Sequence, residues 1–181
     1  GAIIEAQGEK SSVTMAAGHD IKFTTQSLSA DKDMTEDSKN YLRTNRQTEL
    51  GTTVSATGDI SMQAGNDISM RSATVYSDTG AVGMVANNDV TIENGTSYSR
   101  DEYGISYKES GLLSSKKTTI RTDSEHTDVL SSTISGDSVQ VAAGHDVNIT
   151  ASNVVGTKDV TVVAGNNLTT TSAEQYDREE S

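Results

Sequence analysis

Apolar and polar residues alternate in two adjacent stretches near the middle of the chain. The first reads GDISMQAGNDISM from residue 58, the second reads GAVGMVANNDVTI from residue 80, and their apolar positions are 22 residues apart. Alternation with a period of two is typical of strands with one buried face. Each stretch therefore predicts two short strands joined by a turn. Such a unit buries its apolar face only when it stacks on a copy of itself.

The same unit occurs five times along the chain, and equivalent positions form columns of similar residues. The columns are Val13, Ile60, Val82, Val139 and Val160; Met15, Met62, Met84, Val141 and Val162; Ala17, Ala64, Ala86, Ala143 and Ala164; Ile21, Ile68, Val90, Val147 and Leu168; and Phe23, Met70, Ile92, Ile149 and Thr170. Such columns suit parallel strands stacked ~4.8 Å apart. The pattern predicts an all-β, right-handed parallel β-helix of about five 21–22-residue rungs, its hand following the general rule for crossovers.

The turn inside each unit consists of Gly or Asn, then Asn or His, then Asp or Asn. Because Gly and Asn tolerate positive φ, we expect the chain to bend there by using that conformation. His19 and His145 occupy the position that Asn holds in the other copies, which favours turn residues over metal ligands or bases. The third histidine, His126, is isolated in an insertion without an evident partner.

Two longer segments interrupt the repeat, within 26–53 and 95–133. Partial alternation within them predicts β-hairpin-like segments, with a flexible solvated loop as the alternative. Residues 176–180 (YDREE) resemble residues 98–102 (YSRDE), at which the second insertion begins. We therefore expect residues 1–181 to be a single β-helical segment of a longer array in which an insertion precedes every two compact rungs.

The composition excludes several classes of partner and site. The net charge of −12 argues against nucleic acid as the main partner. The absence of cysteine excludes disulfides and thiolate metal sites. No apolar run approaches 18 residues, so the sequence predicts no transmembrane helix, and any export signal must lie elsewhere. The low apolar content of 33% fits a narrow solenoid with a large surface.

Two alternatives concern chemistry at the turns or on the surface. A calcium-binding β-roll needs a nonapeptide period with denser glycine and aspartate, whereas this chain has one turn per 21–22 residues. A β-helical glycan-processing enzyme needs clustered carboxylates on one face, and no recurrent cluster is evident. We therefore expect no catalytic residue, no metal site and no cofactor.

The runs AAGHDVNITAS, VTVVAGNNLTT and DISMQAGNDISM resemble the haemagglutinin repeats of filamentous-haemagglutinin-like exoproteins. The segment GLLSSKKTT from residue 111 also resembles the inserted segment of that repeat type. The resemblance implies a β-helical segment of a very large protein, secreted to the bacterial cell surface by an outer-membrane transporter partner. Family members act as adhesins or as contact-dependent growth-inhibition toxins, so the resemblance leaves both functions open.

The insertions are the predicted recognition surface because stacking fixes the residue types of the compact rungs. They hold nine of the 14 basic residues and four of the six tyrosines, and tyrosine gives a large contact area at low entropic cost. The candidate contact residues for a host or neighbouring bacterial cell surface, protein or glycan, are Tyr98, Tyr103, Tyr107, Lys116 and Lys117. The alternative is that the insertions only widen the filament or shield its sheet edges.

Overall fold

The computed structural model describes residues 1–180, and all of its regular structure is β-strand. The first nine strands are β1 Ile3–Ala6, β2 Val13–Ala17, β3 Ile21–Phe23, β4 Gln26–Asp37, β5 Asn40–Leu50, β6 Thr53–Ala56, β7 Ile60–Ala64, β8 Ile68–Arg71 and β9 Thr74–Ser77. The second nine are β10 Ala81–Ala86, β11 Val90–Glu93, β12 Gly95–Ser110, β13 Ser115–Leu130, β14 Thr133–Ala143, β15 Val147–Thr150, β16 Asn153–Ala164, β17 Leu168–Thr171 and β18 Tyr176–Glu180. The all-β class predicted from the sequence is confirmed.

The chain divides into two compact units. Unit 1 comprises Gly1–Gln26, Glu49–Gly95 and Val129–Ala173. Unit 2 comprises Ser27–Thr48, Thr96–Asp128 and the chain from Glu174. Unit 1 therefore holds the alternating repeats, and unit 2 is built from most of the two interrupting segments together with the C-terminal residues.

Unit 1 is a nearly closed arrangement of parallel strands in two sheets. The eight-stranded sheet has the order β1-β6-β9-β14-β10-β7-β2, with β16 paired to β14, and the five-stranded sheet has the order β17-β15-β11-β8-β3. In the larger sheet Ile60 pairs with both Val13 and Val82, and Val139 pairs with Val82 and Val160. These are the partners that the sequence columns predicted.

The second sheet follows the predicted register in the same way. Ile68 pairs with Ile21 and Val90, and Val147 pairs with Val90 and Leu168. Each pair joins equivalent positions of successive repeats, because the connection between them contains a whole number of strands and turns. The 22-residue spacing of the apolar positions is therefore the period of the strand pairing itself.

The core consists of the predicted columns wherever strands flank them on both sides. Ile60, Ile68, Val82 and Val90 are at most 1% exposed. At ~25 cal/mol per Å² of apolar surface, complete burial of each such side chain stabilises the fold by roughly 1.5–3 kcal/mol before entropy is subtracted. The last strands pair on one side only, and Leu168 is 52% exposed.

The sequence analysis missed a third group of stacked strands. β1, β6, β9 and the first halves of β14 and β16 pair side by side in parallel register. Within this group Val54, Val75 and Ile134 are fully buried. The insertions were therefore drawn too long by several residues, because β6 and the start of β14 fall inside the limits 26–53 and 95–133.

The predicted use of positive φ in the Gly-Asn turns is wrong. Among the described residues, positive φ occurs at Gly8, Lys10, Ser72 and Ala151, and the turns of the repeats are absent from that set. The turn glycines are needed for another reason. A Cβ at Gly65 would collide with the carbonyl oxygen of Gly18 in the turn stacked next to it, and the same holds for later turns. The close vertical approach of backbones, and not turn conformation, selects glycine there.

A left-handed corner distinguishes the compact copies from the interrupted ones. Ser72 (φ 47°) and Ala151 (φ 41°) occupy equivalent positions, directly after β8 and β15. Each corner leads within a few residues into the next strand of unit 1. After β3 and β11, the chain instead continues into the long strands β4 and β12. The corner conformation, unfavourable for non-glycine residues by about 1–3 kcal/mol, is thus used where the chain re-enters the stack at once.

Unit 2 is one five-stranded sheet in the order β18-β13-β12-β5-β4. β12 pairs antiparallel with β5 from Ser97↔Thr48 to Gly104↔Tyr41, and β13 pairs antiparallel with β18. The carboxylate of Asp37 accepts hydrogen bonds from the backbone N–H groups of Lys39 and Asn40, which closes the connection between β4 and β5. The interrupting segments are therefore ordered strands in this structure, and not solvated loops.

Replacing Ile68 with Ala should lower the free energy of unfolding by about 2–5 kcal/mol, since the side chain is fully buried between two neighbours of its own column. Leu168→Ala is the matched control in the same column, and its half-exposed side chain should cost less than about 1 kcal/mol. Urea unfolding followed by circular dichroism measures both. Equal losses in the two variants would contradict the stacking register.

Candidate functional site

One face of the unit 2 sheet carries an ion-pair network centred on Arg100. Its guanidinium contacts Glu102 at 2.5 Å, Asp123 at 2.8 Å and Glu125 at 3.4 Å. The contact with Asp123 is bidentate, through Nε and the terminal nitrogen. The Tyr98 hydroxyl donates a hydrogen bond to Glu125 at 3.2 Å. These side chains join β12 to β13 across the sheet.

The network fixes the ionisation of its members. The hydrogen bond to Asp123 raises the pKa of Arg100, and in return Arg100 holds the pKa of Asp123 below its usual range. Desolvation and then the charge of Glu125 raise the pKa of Tyr98. A glycosidase acid requires a carboxyl group with a raised pKa, so the ionised, arginine-bound state of Asp123 fits a structural tie and not a proton donor.

The opposite face of unit 2 is apolar and exposed. Tyr103, Ile105 and Tyr107 alternate along β12, so they project to the face opposite Arg100 and Glu102. Leu42 pairs directly with Tyr103. Ser106 hydrogen-bonds to Thr119 across the β12–β13 pair, which puts the next residue, Ile120, on the face of Ile105. These five side chains are between 37% and 50% exposed, and we name them the apolar face.

Lys116 and Lys117 lie at the beginning of β13, and both are exposed. The neighbouring ammonium group of Lys39 lowers the pKa of Lys117. Two like charges held this close favour an anionic partner, which would relieve their repulsion. The pair stands near the end of the β12–β13 connection, whereas the apolar face extends along the strands.

The five predicted contact residues thus fall into separate groups. Tyr103 and Tyr107 share the apolar face, and Lys116 and Lys117 share the start of β13. Tyr98 projects to the other side of the sheet and is half-buried, with its hydroxyl held by Glu125. Strand parity decides this separation, since residues 98 and 103 are an odd number of positions apart on an unbroken register.

In unit 1 the turns form a ladder of hydrogen bonds that the sequence analysis did not predict. Asp20 Oδ1 accepts hydrogen bonds from the side chain of Asn66 at 2.9 Å and the backbone N–H of Asp67 at 3.3 Å. Asp67 accepts the same two bonds from Asn88 and Asp89 of the next turn. The repeated Asp therefore caps donors of the following turn, and the signal for it was its constant place in the repeat.

The histidines of the turns take the place of the amide donors. His145 Nδ1 lies 3.5 Å from Asp89 Oδ1 in the preceding turn and 3.4 Å from Asp146 Oδ2 in its own. His19 Nδ1 lies 2.9 Å from Asp20. In unit 2, His126 contacts Asp128 at 2.8 Å and Asp177 at 3.7 Å, so it has partners that the sequence did not reveal.

The stacked parallel strands and the turn ladder define unit 1 as a repeat protein of the parallel β class. The hemagglutinin repeat family model matches residues 4–94 and 34–181, which together cover nearly the whole chain. The chain belongs to the hemagglutinin repeat family. This confirms the family predicted from the sequence, that of filamentous-haemagglutinin-like exoproteins secreted to the bacterial cell surface.

Several curated proteins are similar to the chain. A tRNA nuclease CdiA of Burkholderia pseudomallei is 32% identical over 168 residues, covering 89% of this chain and 13% of the relative. The tRNA nuclease CdiA-2 of strain 1026b is 28% identical over 168 residues, covering 89% of the chain and 5% of the relative. The tRNA nuclease CdiA of Escherichia coli strain STEC_O31 is 32% identical over 132 residues, covering 72% and 3%. The chain therefore spans a small part of each relative.

No solved structure matches the chain. Within residues 1–180, no helix is long and apolar enough to cross a membrane.

The Asp20→Asn variant should lose less stability in acid than the parent. The hydrogen bond from Lys22, followed by those from Asn66 and His19, holds the folded pKa of Asp20 well below its usual range. This carboxylate therefore stabilises the fold fully above the unfolded pKa of about 3.9, and its contribution is lost as the pH falls through the folded pKa. Melting temperatures between pH 7 and pH 2 measure the difference.

In that experiment the Asn side chain keeps an oxygen that accepts from Asn66 and Asp67, while it cannot titrate. Glu9→Gln, which removes one carboxylate outside the turns, is the control and should follow the parent. Identical acid profiles for the parent and the Asp20→Asn variant would contradict a stabilising role for the ionised ladder.

Proposed function

We propose that the chain is a non-catalytic stalk segment of a large secreted exoprotein, in which a right-handed parallel β-helix carries lateral sheets that contact a partner surface. The helix would have about five rungs of 21–22 residues, with two β-hairpin-like insertions. The observation that carries the proposal is the pairing of equivalent columns in unit 1, such as Ile60 with Val13 and Val82. Pairing of this kind extends without limit by adding repeats, as a stalk requires.

The apolar face of unit 2 is the proposed contact surface. Protein surfaces that exclude water around tyrosine and aliphatic side chains are typical of recognition sites, and the tyrosines supply area at low entropic cost. Tyr103 and Tyr107 are the central candidates, with Lys116 and Lys117 as a basic element for an anionic group. Tyr98 supports the sheet through Glu125. The proposed partner is a protein or glycan on a host or neighbouring bacterial cell.

Two activities of the whole exoprotein remain candidates. Adhesion needs only the proposed contact surface on a stalk. Contact-dependent growth inhibition would also need a toxin elsewhere in the protein, and the relatives named tRNA nuclease CdiA favour this second candidate. In either case, the proposed export route is an outer-membrane transporter partner, and the contribution of this segment is presentation.

The calcium-roll and glycan-enzyme alternatives are less well supported. The ladder carboxylates already accept hydrogen bonds from the next turn, as Asp67 does from Asn88 and Asp89, so each turn is complete without an ion. On unit 2, Asp123 is bound by Arg100. Neither arrangement offers the six or more oxygen ligands that calcium prefers or a carboxyl group with a raised pKa.

The double variant Tyr103→Ser, Tyr107→Ser in the full-length exoprotein should weaken cell binding at least about tenfold, since aromatic anchors dominate interface energies. Tyr76→Ser is the matched control, because Tyr76 is a 44% exposed strand tyrosine in unit 1. Flow cytometry with labelled protein on target cells measures binding. Equal binding by the double variant and the parent would contradict the proposed surface.

A second arm separates recognition from the stalk role. Replacing 96–128 with a short connector removes most of unit 2 and leaves the strands of unit 1 intact. The β-sheet spectrum should persist and cell binding should fall. If this variant binds and delivers as well as the parent, the segment is a spacer alone.

A further inference from the structure

We propose that Asp89, His145 and Asp146 form a binding site for a divalent transition-metal ion of the zinc type. The three residues come from two stacked turns, and one ligand atom from each lies within 4.8 Å of the others. Among the described residues, this is the one group of three such side chains. The sequence analysis expected no metal site because it considered each turn by itself, and the set is complete only when two turns stack.

The spacing of the atoms fits an ion better than it fits a hydrogen bond. His145 Nδ1 lies 3.5 Å from Asp89 Oδ1 and 3.4 Å from Asp146 Oδ2. The Asn side chains at equivalent positions make true hydrogen bonds of 2.9 Å and 3.1 Å to the preceding Asp. Ligands at about 2.0–2.1 Å from a tetrahedral zinc ion are about 3.4 Å apart. Zinc is therefore the ion that the imidazole and two carboxylates suit, with a fourth position open to water.

The carboxylates are positioned and ionised before any ion binds. Asp89 Oδ1 accepts a hydrogen bond from the backbone N–H of Asp146 at 3.0 Å. Asp146 Oδ1 accepts from the backbone and side chain of Asn167 and from Asn166, so Oδ2 is the atom nearest His145. Although desolvation opposes it, these bonds lower the pKa of Asp146. Such outer contacts orient ligands and strengthen metal sites.

The other turn histidine provides a natural contrast. His19 Nδ1 also lies beside the Asp of its own turn, at 2.9 Å from Asp20 Oδ1. The second oxygen of Asp20 is bound by the ammonium group of Lys22 at 2.9 Å. A cation already occupies that carboxylate, so the same Gly-His-Asp sequence gives a site at residue 145 and none at residue 19.

The test is titration of the metal-stripped chain with Zn²⁺ by isothermal calorimetry at pH 7. We expect one site in the parent. His145→Asn should weaken binding at least about tenfold, since loss of a ligand exceeds the effect of an outer contact. This variant reproduces the Asn found at positions 66, 88 and 166, so the turn ladder should persist. Asp89→Asn, which imitates Asn167, should weaken binding similarly.

His19→Asn is the matched control and should bind Zn²⁺ as the parent does. Substitution of Co²⁺ should give the visible absorption of a tetrahedral site in the parent, and His145→Asn should abolish it. Absence of binding in the parent, or parental binding by His145→Asn and Asp89→Asn, would overturn the proposal. Equal loss in His19→Asn would assign the ion to the turns in general and would also overturn it.

Discussion

Stacking of like apolar side chains in parallel register is the interaction on which the rest of the structure depends. Ile60, Ile68, Val82 and Val90 are essentially inaccessible to solvent because each lies between equivalents in neighbouring repeats. Since side chains alternate across a strand, a slip by one residue would exchange buried Met62 for its polar neighbours. The register is therefore strongly specified by the pattern of the sequence.

This register determines the surface as well as the core. Once the strands are aligned, the turns must also stack, and their backbones approach too closely for any side chain at Gly65 or Gly144. The same approach brings the Asp of one turn beneath the amide groups of the next. The hydrogen-bond ladder and the Asp89–His145–Asp146 group are thus products of core packing, although all of these residues lie outside the core.

The interrupted copies relieve the constraint at one place. After β8 and β15 the left-handed residues Ser72 and Ala151 return the chain to the stack, whereas after β3 and β11 it enters unit 2. Residues of unit 1 are restricted to types that stack or turn. Unit 2 has no such repeat to satisfy, so it accommodates both the arginine network on one face and exposed tyrosines on the other. The division of labour proposed between stalk and contact surface follows from that difference.

The core columns could be predicted because each contributes a clear alternation over five or six residues at a constant period. The strands Thr53–Ala56 and Thr74–Ser77 could not, since each offers only two inward positions, one of them the polar Ser77 in the second. Ser77 is buried with its hydroxyl bonded to Gly58 and Gly80, so its polarity misrepresents its place. Parity along β12 separates Tyr98 from Tyr103, and a sequence of partial alternation does not reveal an unbroken register. His145 and Asp89 are 56 residues apart, and only alignment of the turns brings them together.

Engineered disulfides test the central claim, the residue-for-residue register, most directly. Gln63 pairs with Val85, both are exposed, and the chain has no cysteine of its own. Neighbouring parallel strands are ~4.8 Å apart, within the range of a disulfide, so Gln63→Cys with Val85→Cys should oxidise completely under native conditions. Gln63→Cys with Gly83→Cys, displaced by two residues to about 8 Å, should keep free thiols. Equal oxidation of the displaced pair, or none in the aligned pair, as counted by thiol titration, would contradict the register.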